Sequence, residues 1–281
     1  MWFDLKPLTV IGQSGLIIAC STTATVVIIS LLFGLSIDNR LSAVVFLITL
    51  GSYSLDRILE IRKNIKLNRK VNSDLIKFAI GFLPFTIFFL FIGIMLAFSH
   101  SFLFGLMVSL APLVIVIYSY EGKGSIGSIK TIPFFKDIMI ALGWCVLVLV
   151  VLLYFRLAIT MAIVLFSFGL LIKFYVMAAI YDFKDIKTDE QQGVITIANT
   201  FNVKLAKNFL HLLNSLATIW IIILIFFGFL SHLAFIFFPA WIYQTLLIIG
   251  ISKNTPLWFY YLPCDLEQVL WLVFTIPWLV P

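Results

Sequence analysis

The stretch YDFKDIKTD, Tyr181–Asp189, decides the fold because it places three carboxylates directly after an apolar run long enough to cross a membrane. On a helix, steps of three and four residues bring Asp182, Asp185 and Asp189 within about 60° of one another. Like charges at the edge of a bilayer are costly unless a metal, a cation or water compensates them. A hard divalent cation such as Mg²⁺, which prefers oxygen ligands, would remove the repulsion. A solvated helix end is the alternative interpretation of this run taken alone.

A second carboxylate run favours the metal-site interpretation. Residues SYSLDRILE, Ser52–Glu60, close another apolar segment, and Asp56 and Glu60 lie one helical turn apart on the same face. Two membrane helices that each end in carboxylates predict two half-sites that face each other. Such half-sites could hold two metal ions, which stabilise the charge of a departing pyrophosphate.

The composition is that of a polytopic helical membrane protein. The chain has 281 residues, of which 62% are hydrophobic and 11% charged, and its mean hydropathy is +1.14. Apolar runs of about 18 or more residues recur, and they are far longer than a strand needs. We therefore predict an all-α fold with nine transmembrane helices around a central cavity. The predicted spans are 8–36, 41–58, 75–97, 102–119, 138–155, 157–180, 209–230, 232–250 and 266–280.

The net charge of +6 is distributed unevenly between the two ends of these spans. With nine spans, the N-terminus and the loops after spans 2, 4, 6 and 8 share one side and carry nearly all the basic residues. The other side carries only Arg40 and Arg156. Positive charge stays on the cytoplasmic face, so we predict that both carboxylate runs face the cytoplasm from the plasma (cell inner) membrane. The basic balance thus indicates topology, and the sequence contains no sign of a nucleic-acid-binding module.

With both runs placed at helix ends, the chain resembles the UbiA superfamily of intramembrane prenyltransferases. The resemblance implies nine transmembrane helices, two aspartate-rich motifs and one domain over residues 1–281. The second motif, roughly Tyr-Asp-x-x-Asp-x-x-x-Asp, is matched in full by residues 181–189. Further segments resemble the family as well: Thr188–Val194, Tyr118-Ser119, Lys130–Pro133, Lys136-Asp137 and Gly143-Trp144.

The first motif departs from the family pattern, which is roughly Asn-Asp-x-x-Asp-x-x-x-Asp. Here the four positions hold Ser52, Tyr53, Asp56 and Glu60. Asp56 followed by Arg57 matches well, and the glutamate supplies a carboxylate on a longer arm. Ser52 and Tyr53 offer hydroxyl groups in place of an amide and a carboxylate, which weakens the first metal half-site.

The resemblance implies an Mg²⁺-dependent enzyme that transfers a prenyl group from a polyprenyl diphosphate to a lipophilic acceptor among the membrane lipids. The acceptor could be an aromatic compound, a tetrapyrrole or a glycerolipid. The implied metal ligands are Asp56 and Glu60 on one helix and Asp182, Asp185 and Asp189 on the other. Of these, Asp56, Asp182 and Asp185 are also our candidate catalytic carboxylates.

Cations and aromatic rings complete the implied site. Arg57, Lys123, Lys130 and Lys184 are the candidates for binding the diphosphate, because Arg and Lys suit phosphate oxygens. For Lys123 and Lys184, we favour a basic cytoplasmic loop as the explanation of the charge. Tyr118 and Tyr181 are the candidate catalytic groups that stabilise an allylic cation, and as tyrosines near a membrane surface they also suit an interfacial belt.

Two other functions remain open from the sequence. Ser52 and Tyr53 favour a member that keeps the fold but has lost the chemistry and serves as a lipid-binding or assembly subunit. A secondary transporter would carry ionisable residues near the bilayer midplane on broken helices. Here most of them cluster at helix ends, which argues against transport.

Lys173 is the exception to that clustering, since it falls inside the sixth predicted span. We expect it to extend toward the cytoplasmic interface, the alternative being a charge that reaches an acidic lipid or substrate. Asp265 and Glu267 suit the first turn of the last helix, and we assign them no chemistry.

Overall fold

The computed structural model describes residues 15–66, 73–119, 132–191, 193–252 and 254–279, and these residues form helices and turns without a strand. The all-α prediction is therefore confirmed for this part of the chain. It contains nine helices of 13 residues or more, each overlapping one predicted span. They are α1 Leu16–Leu32, α2 Asn39–Lys66, α3 Ser73–His100, α4 Phe102–Ser119, α5 Phe135–Phe155, α6 Met161–Gln191, α7 Val203–Phe226, α8 Phe237–Gly250 and α9 Glu267–Leu279.

Six segments of the described residues are long and apolar enough to cross a membrane. Five of them lie in α2, α3, α5, α6 and α7, and the sixth joins the 3₁₀ turn His232–Ile236 to α8. Helix α1 and the segment Phe102–Val116 of α4 are shorter apolar helices. The protein therefore has the segments of an integral membrane protein, and nine crossings around a central cavity remain a prediction.

The helices form a ring that closes on itself. Neighbours in the chain pack together, α2 also contacts α4, and α9 packs against α1. Helix α1 reaches across to α5 as well, so that Ile28, Val148, Phe166 and Trp271 join one buried core. Because the first and last helices are neighbours, the ring needs both of them.

Two glycines let α2 and α3 approach closely. A Cβ on Gly51 would lie 2.6 Å from Leu90 Cγ, and a Cβ on Gly93 would lie 2.9 Å from Ile48 Cγ1. Small residues allow such backbone approach between membrane helices. The contact fixes the part of α2 that leads into the first carboxylate run.

Helices α2 and α6 carry the two carboxylate runs near their C-terminal ends, where α5 and α9 begin. We call this end of the bundle the carboxylate end. Helix α6 continues to Gln191, beyond the predicted end of the span at 180, so its three aspartates are all helical. Helix α1 also begins here, and a Cβ on its N-cap, Gly15 (φ 78°), would lie 2.6 Å from the Tyr53 ring.

Candidate active site

Lys136, at the start of α5, bridges two aspartates of the second motif. Its Nζ lies 2.8 Å from Asp182 Oδ1 and 2.8 Å from Asp189 Oδ2, with Asp189 Oδ1 at 3.1 Å. Asp182 and Asp189 are seven residues apart, two helical turns, and so present both carboxylates to α5. The structure thus gives α6 a cationic partner that the sequence analysis did not assign.

The backbone before α5 explains how Lys136 reaches this position. Phe134 adopts a left-handed conformation with φ 62°, which costs about 1 kcal/mol for a residue with a Cβ. Its N–H donates to the carbonyl of Ile195 at 2.9 Å, and its ring stacks parallel to that of Phe201. Gly193, with φ 68°, makes the turn between α6 and this contact. The start of α5 is thereby tied to the end of α6.

Asp137 is a second residue that sequence reasoning missed. Its side chain is fully buried, and its carboxyl group lies against that of Asp182, with Asp189 also acting on it. No described residue donates a hydrogen bond to Asp137 Oδ1, Asp137 Oδ2 or Asp182 Oδ2. The resemblance marked the pair Lys136-Asp137 but gave Asp137 no role, because an aspartate in the first turn of a helix is common.

Arg57 organises the first motif. Its Nη1 lies 2.6 Å from Glu60 Oε2, its Nη2 donates to the Tyr53 hydroxyl at 2.8 Å, and the charge of Asp56 acts on it. The guanidinium carbon is 5.0 Å from the centroid of the Tyr53 ring. Tyr53 therefore contributes a phenol that accepts a hydrogen bond from Arg57.

Lys184 connects the two motifs. Its charge is attracted by Asp185 on its own helix and by Glu60 of the first motif, and is repelled by Arg57. Its Nζ lies 4.8 Å from the centroid of the Tyr181 ring. The Tyr181 hydroxyl donates to the carbonyl of Tyr260 at 3.0 Å. The structure thus brings the two predicted carboxylate runs to one place.

Asp265 adds a carboxylate from a third direction. It follows a π-helical turn, Tyr260–Cys264, and its side chain is 6% exposed. Burial raises the pKa of Asp265 to about 8, while the Arg57 guanidinium acts in the opposite direction. The hydroxyl of Ser21 on α1 donates to the Asp265 carbonyl. The sequence analysis had assigned Asp265 only to the start of the last helix.

Together these side chains form what we call the carboxylate network. When all its groups are ionised, seven carboxylates face three cations, an excess of four negative charges. Its described members are Asp56, Glu60, Asp137, Asp182, Asp185, Asp189 and Asp265, with Arg57, Lys136 and Lys184.

The donor set fits a hard divalent cation. All the acidic donors are oxygens, three buried carboxylate oxygens of Asp137 and Asp182 receive no hydrogen bond from a described residue, and two divalent ions would match the charge excess. Within the described ranges no three Asp, Glu, His or Cys side chains converge as a ready metal site. The Lys136 ammonium lies between Asp182 and Asp189.

The structure does not describe the side chains of three predicted site residues. Lys123 and Lys130 lie outside the described residues, and Tyr118 belongs to the last turn of α4, where the structure describes only the backbone. Their proposed roles remain predictions.

Lys173 corrects the sequence analysis, because it does not extend to the interface. Its side chain is fully buried, and Nζ donates to Asn214 Oδ1 at 2.6 Å and to Gln244 Oε1 at 3.4 Å. Gln244 Nε2 returns a hydrogen bond to the Lys173 carbonyl, and the charge of buried Glu267 acts on the ammonium. We call Lys173, Asn214, Gln244 and Glu267 the amide cluster.

Comparison with known proteins accounts for this architecture. The model of the UbiA prenyltransferase family matches residues 37–262, whereas a search of the curated proteins finds no significant match. A solved structure of a digeranylgeranylglyceryl phosphate synthase is 16% identical, with a TM-score of 0.52, over 97% of this chain and 99% of that chain. The apo structure of a UbiA homologue from Aeropyrum pernix K1 is 13% identical, with a TM-score of 0.59, over 92% and 96%. Since the family model covers most of the chain and both neighbours share the fold, this protein belongs to the UbiA prenyltransferase family.

Proposed function

We propose that this protein is an Mg²⁺-dependent prenyltransferase that takes its prenyl group from a polyprenyl diphosphate. The observation that carries the proposal is the carboxylate network, in which two separate acidic runs meet around Arg57, Lys136 and Lys184. A buried excess of negative charge is costly in a membrane protein. It becomes favourable when the ligand brings positive charge together with oxygens that Arg and Lys can bind.

Each part of the network has a task in this proposal. Asp56 and Glu60 on α2 and Asp182, Asp185 and Asp189 on α6 would hold Mg²⁺. When bound, Mg²⁺ neutralises the diphosphate and stabilises the leaving pyrophosphate. Arg57 and Lys184 bind the phosphate oxygens that face the gap between the helices, with Lys123 and Lys130 as further proposed partners.

The reaction breaks the C–O bond between the prenyl carbon and the diphosphate. The bond to the acceptor forms at the same carbon, the pyrophosphate keeps the electron pair of the broken bond, and the acceptor loses a proton. Tyr181 presents its ring near Lys184, and we propose that the ring stabilises positive charge on the allylic carbon, together with Tyr118. Apolar helix faces would hold the isoprenoid tail and exclude water.

The orientation follows from the basic residues. Arg57, Arg62, Lys136 and Lys184 belong to the carboxylate end, whereas Arg40 and Arg156 border α2 and α5 at the opposite end. Positive charge stays inside, so we propose that the site opens toward the cytoplasm. The acceptor would then be a lipophilic aromatic compound, tetrapyrrole or glycerolipid that enters from the membrane.

The test is a binding and turnover experiment in detergent or nanodiscs. Geranylgeranyl diphosphate is titrated with and without Mg²⁺, and pyrophosphate release is followed after addition of a membrane-lipid extract. We expect Mg²⁺-dependent binding, with release accelerated by the extract. Absence of metal-dependent binding in a folded sample would contradict the proposal.

The second candidate is a non-catalytic lipid-binding or assembly subunit, and one observation favours it. In the first half-site Tyr53 stands where the family has a carboxylate, and it binds Arg57. The double variant Ser52→Asn with Tyr53→Asp separates the two functions. If those positions only weaken a conventional site, the variant will release pyrophosphate several-fold faster. If the wild type binds lipid but neither protein turns over, the non-catalytic function is correct.

A further inference from the structure

Asp137 lies where a third helix meets the second motif. It is the third residue of α5, it has no exposed surface, and its carboxyl group lies against that of Asp182 on α6. The family resemblance assigned ligands only to the two aspartate-rich runs, on α2 and α6. Asp137 belongs to neither run.

The partners of Asp137 are the facing carboxyl group of Asp182 and, through its charge, the Lys136 ammonium. Both of its carboxylate oxygens lack a donor, and so does Oδ2 of the facing Asp182. The Lys136 Nζ makes its direct contacts with Asp182 Oδ1 and with Asp189. The two facing carboxyl groups of Asp137 and Asp182 therefore need either a shared proton or a bound cation between them.

This arrangement is unfavourable without a further positive group. A buried polar atom without a hydrogen bond costs about 1–3 kcal/mol, and more when it is charged. Two facing carboxylates add mutual repulsion. A helix that needed only a polar first turn would be served as well by an asparagine, which donates and accepts. A ligand of opposite charge explains why two acids are placed here.

We propose that Asp137 is a ligand of the divalent cation bound at the second motif, sharing that ion with Oδ2 of Asp182. The inference rests on the proposed function and deepens it, because it adds a carboxylate from α5 to the metal site. The ammonium of Lys136 then balances the remaining oxygens of Asp182 and Asp189, so one helix turn of α5 supplies both a metal ligand and a cation.

The experiment measures Mn²⁺ binding, which electron paramagnetic resonance detects without substrate or turnover. Asp137→Asn keeps the size and polarity of the side chain but removes its charge. Loss of outer-shell partners of metal ligands already costs roughly 10–100-fold in affinity, so we expect Asp137→Asn to weaken Mn²⁺ binding by about 10-fold or more. Asp38→Asn is the matched control, because Asp38 caps α2 at the opposite end through the Leu41 N–H and asparagine caps equally well.

Thermal unfolding separates a ligand from a structural residue. If Asp137 is a ligand, Asp137→Asn will unfold at a higher temperature than the wild type without metal, because a repulsive charge is gone. The same variant will lose most of the stabilisation that Mn²⁺ gives the wild type. A structural aspartate would behave in the opposite way, with a lower unfolding temperature and an unchanged response to Mn²⁺.

The outcomes distinguish the inference from the proposed function. Unchanged Mn²⁺ affinity in Asp137→Asn, with Mg²⁺-dependent diphosphate binding intact in the wild type, overturns the inference alone. If the wild type binds neither Mn²⁺ nor diphosphate, both are overturned. Asp137→Glu, which restores a carboxylate, is expected to recover part of the Mn²⁺ affinity, and failure to recover any would also count against a ligand role.

Discussion

The carboxylate network and the amide cluster both bury charges around helix α6, but they treat those charges differently. Lys173 and Asp182 are nine residues apart and lie on opposite faces of the helix, one toward α7 and α8 and the other toward α5. In the amide cluster one ammonium is hydrogen-bonded by two amide side chains and faces one carboxylate, so acid and base are equal in number. In the carboxylate network the seven described carboxyl groups outnumber the three cations, which would leave four negative charges unbalanced if all of them were ionised.

This difference separates a structural polar cluster from a binding site. A buried charge whose partners are supplied by the protein can fix how helices pack. A buried set that the protein leaves unbalanced is a candidate functional site, because a ligand must complete it. The amide cluster joins α6, α7, α8 and α9, so we expect it to determine stability, and we expect the carboxylate network to determine binding.

The largest effect is expected at Asp185. Its side chain is half-buried, so Asp185→Ala removes a proposed metal ligand without opening the core. We expect Mg²⁺-dependent diphosphate binding to be abolished while the far-UV circular dichroism spectrum stays that of the wild type. Titration with geranylgeranyl diphosphate measures the first and the spectrum checks the second. Unchanged binding would remove the basis for a two-metal site.

Disrupting the amide cluster should lower stability and leave diphosphate binding intact, which is the reverse of the effect expected for Asp185→Ala. Lys173→Met leaves Glu267 as an uncompensated buried charge, and loss of one member of such a pair costs about 3–5 kcal/mol. We expect a large drop in unfolding temperature with Mg²⁺-dependent diphosphate affinity retained at low temperature. Adding Glu267→Gln should recover most of the stability. A loss of affinity without loss of stability would place Lys173 in the binding site.

The variant Lys136→Met tests how far the carboxylate network depends on the Lys136 ammonium. Lys136→Met leaves Asp182 and Asp189 without their ammonium, which costs about 1–3 kcal/mol. We expect the variant to unfold at a lower temperature without Mg²⁺ and to gain more stability from Mg²⁺ than the wild type does. Thermal unfolding across an Mg²⁺ series measures both. A wild-type response to Mg²⁺ would show that the ammonium does not act on the metal site.

The effect expected at Asp265 depends on pH. Because burial raises its pKa to about 8, the folded protein keeps the proton over a range in which the unfolded chain, with a pKa of about 3.9, has lost it. The wild type therefore loses stability relative to Asp265→Asn by up to about 1.4 kcal/mol per pH unit between those values. Unfolding temperatures of both proteins at pH 5, 6 and 7 measure the difference. A constant difference would contradict the buried position of this carboxyl group.

The sequence was sufficient for the parts of the molecule that depend on local pattern. Long apolar runs predict membrane helices from hydropathy alone, and the spacing of Asp182, Asp185 and Asp189 predicts their shared side of a helix. The alternation of basic and neutral loops also predicted that both acidic runs share one end of the bundle, and the structure brings them together through Lys184.

The site residues that could not be predicted from the sequence depend on contacts between helices that are far apart in the chain. Lys136, Asp137 and Asp265 each stand at the beginning of a helix, where charged residues are ordinary. Only the packing of α5 against α6 and of α9 against α1 directs them to the site. Lys173 was misjudged because its partners, Asn214 and Gln244, are 41 and 71 residues away. An isolated lysine in an apolar helix gives no sign of them.

The contact between the first and last helices, α1 and α9, can form only late in the synthesis of the chain. Ser21 on α1 donates to the carbonyl of Asp265, 244 residues later in the chain, and α9 packs along α1. At a synthesis rate of about 5–20 residues per second, a ribosome needs roughly 12–50 s to cover that distance. During that time α1 lacks its final neighbour. Asp265 therefore joins the acidic site only after the segment that leads into α9 has been translated.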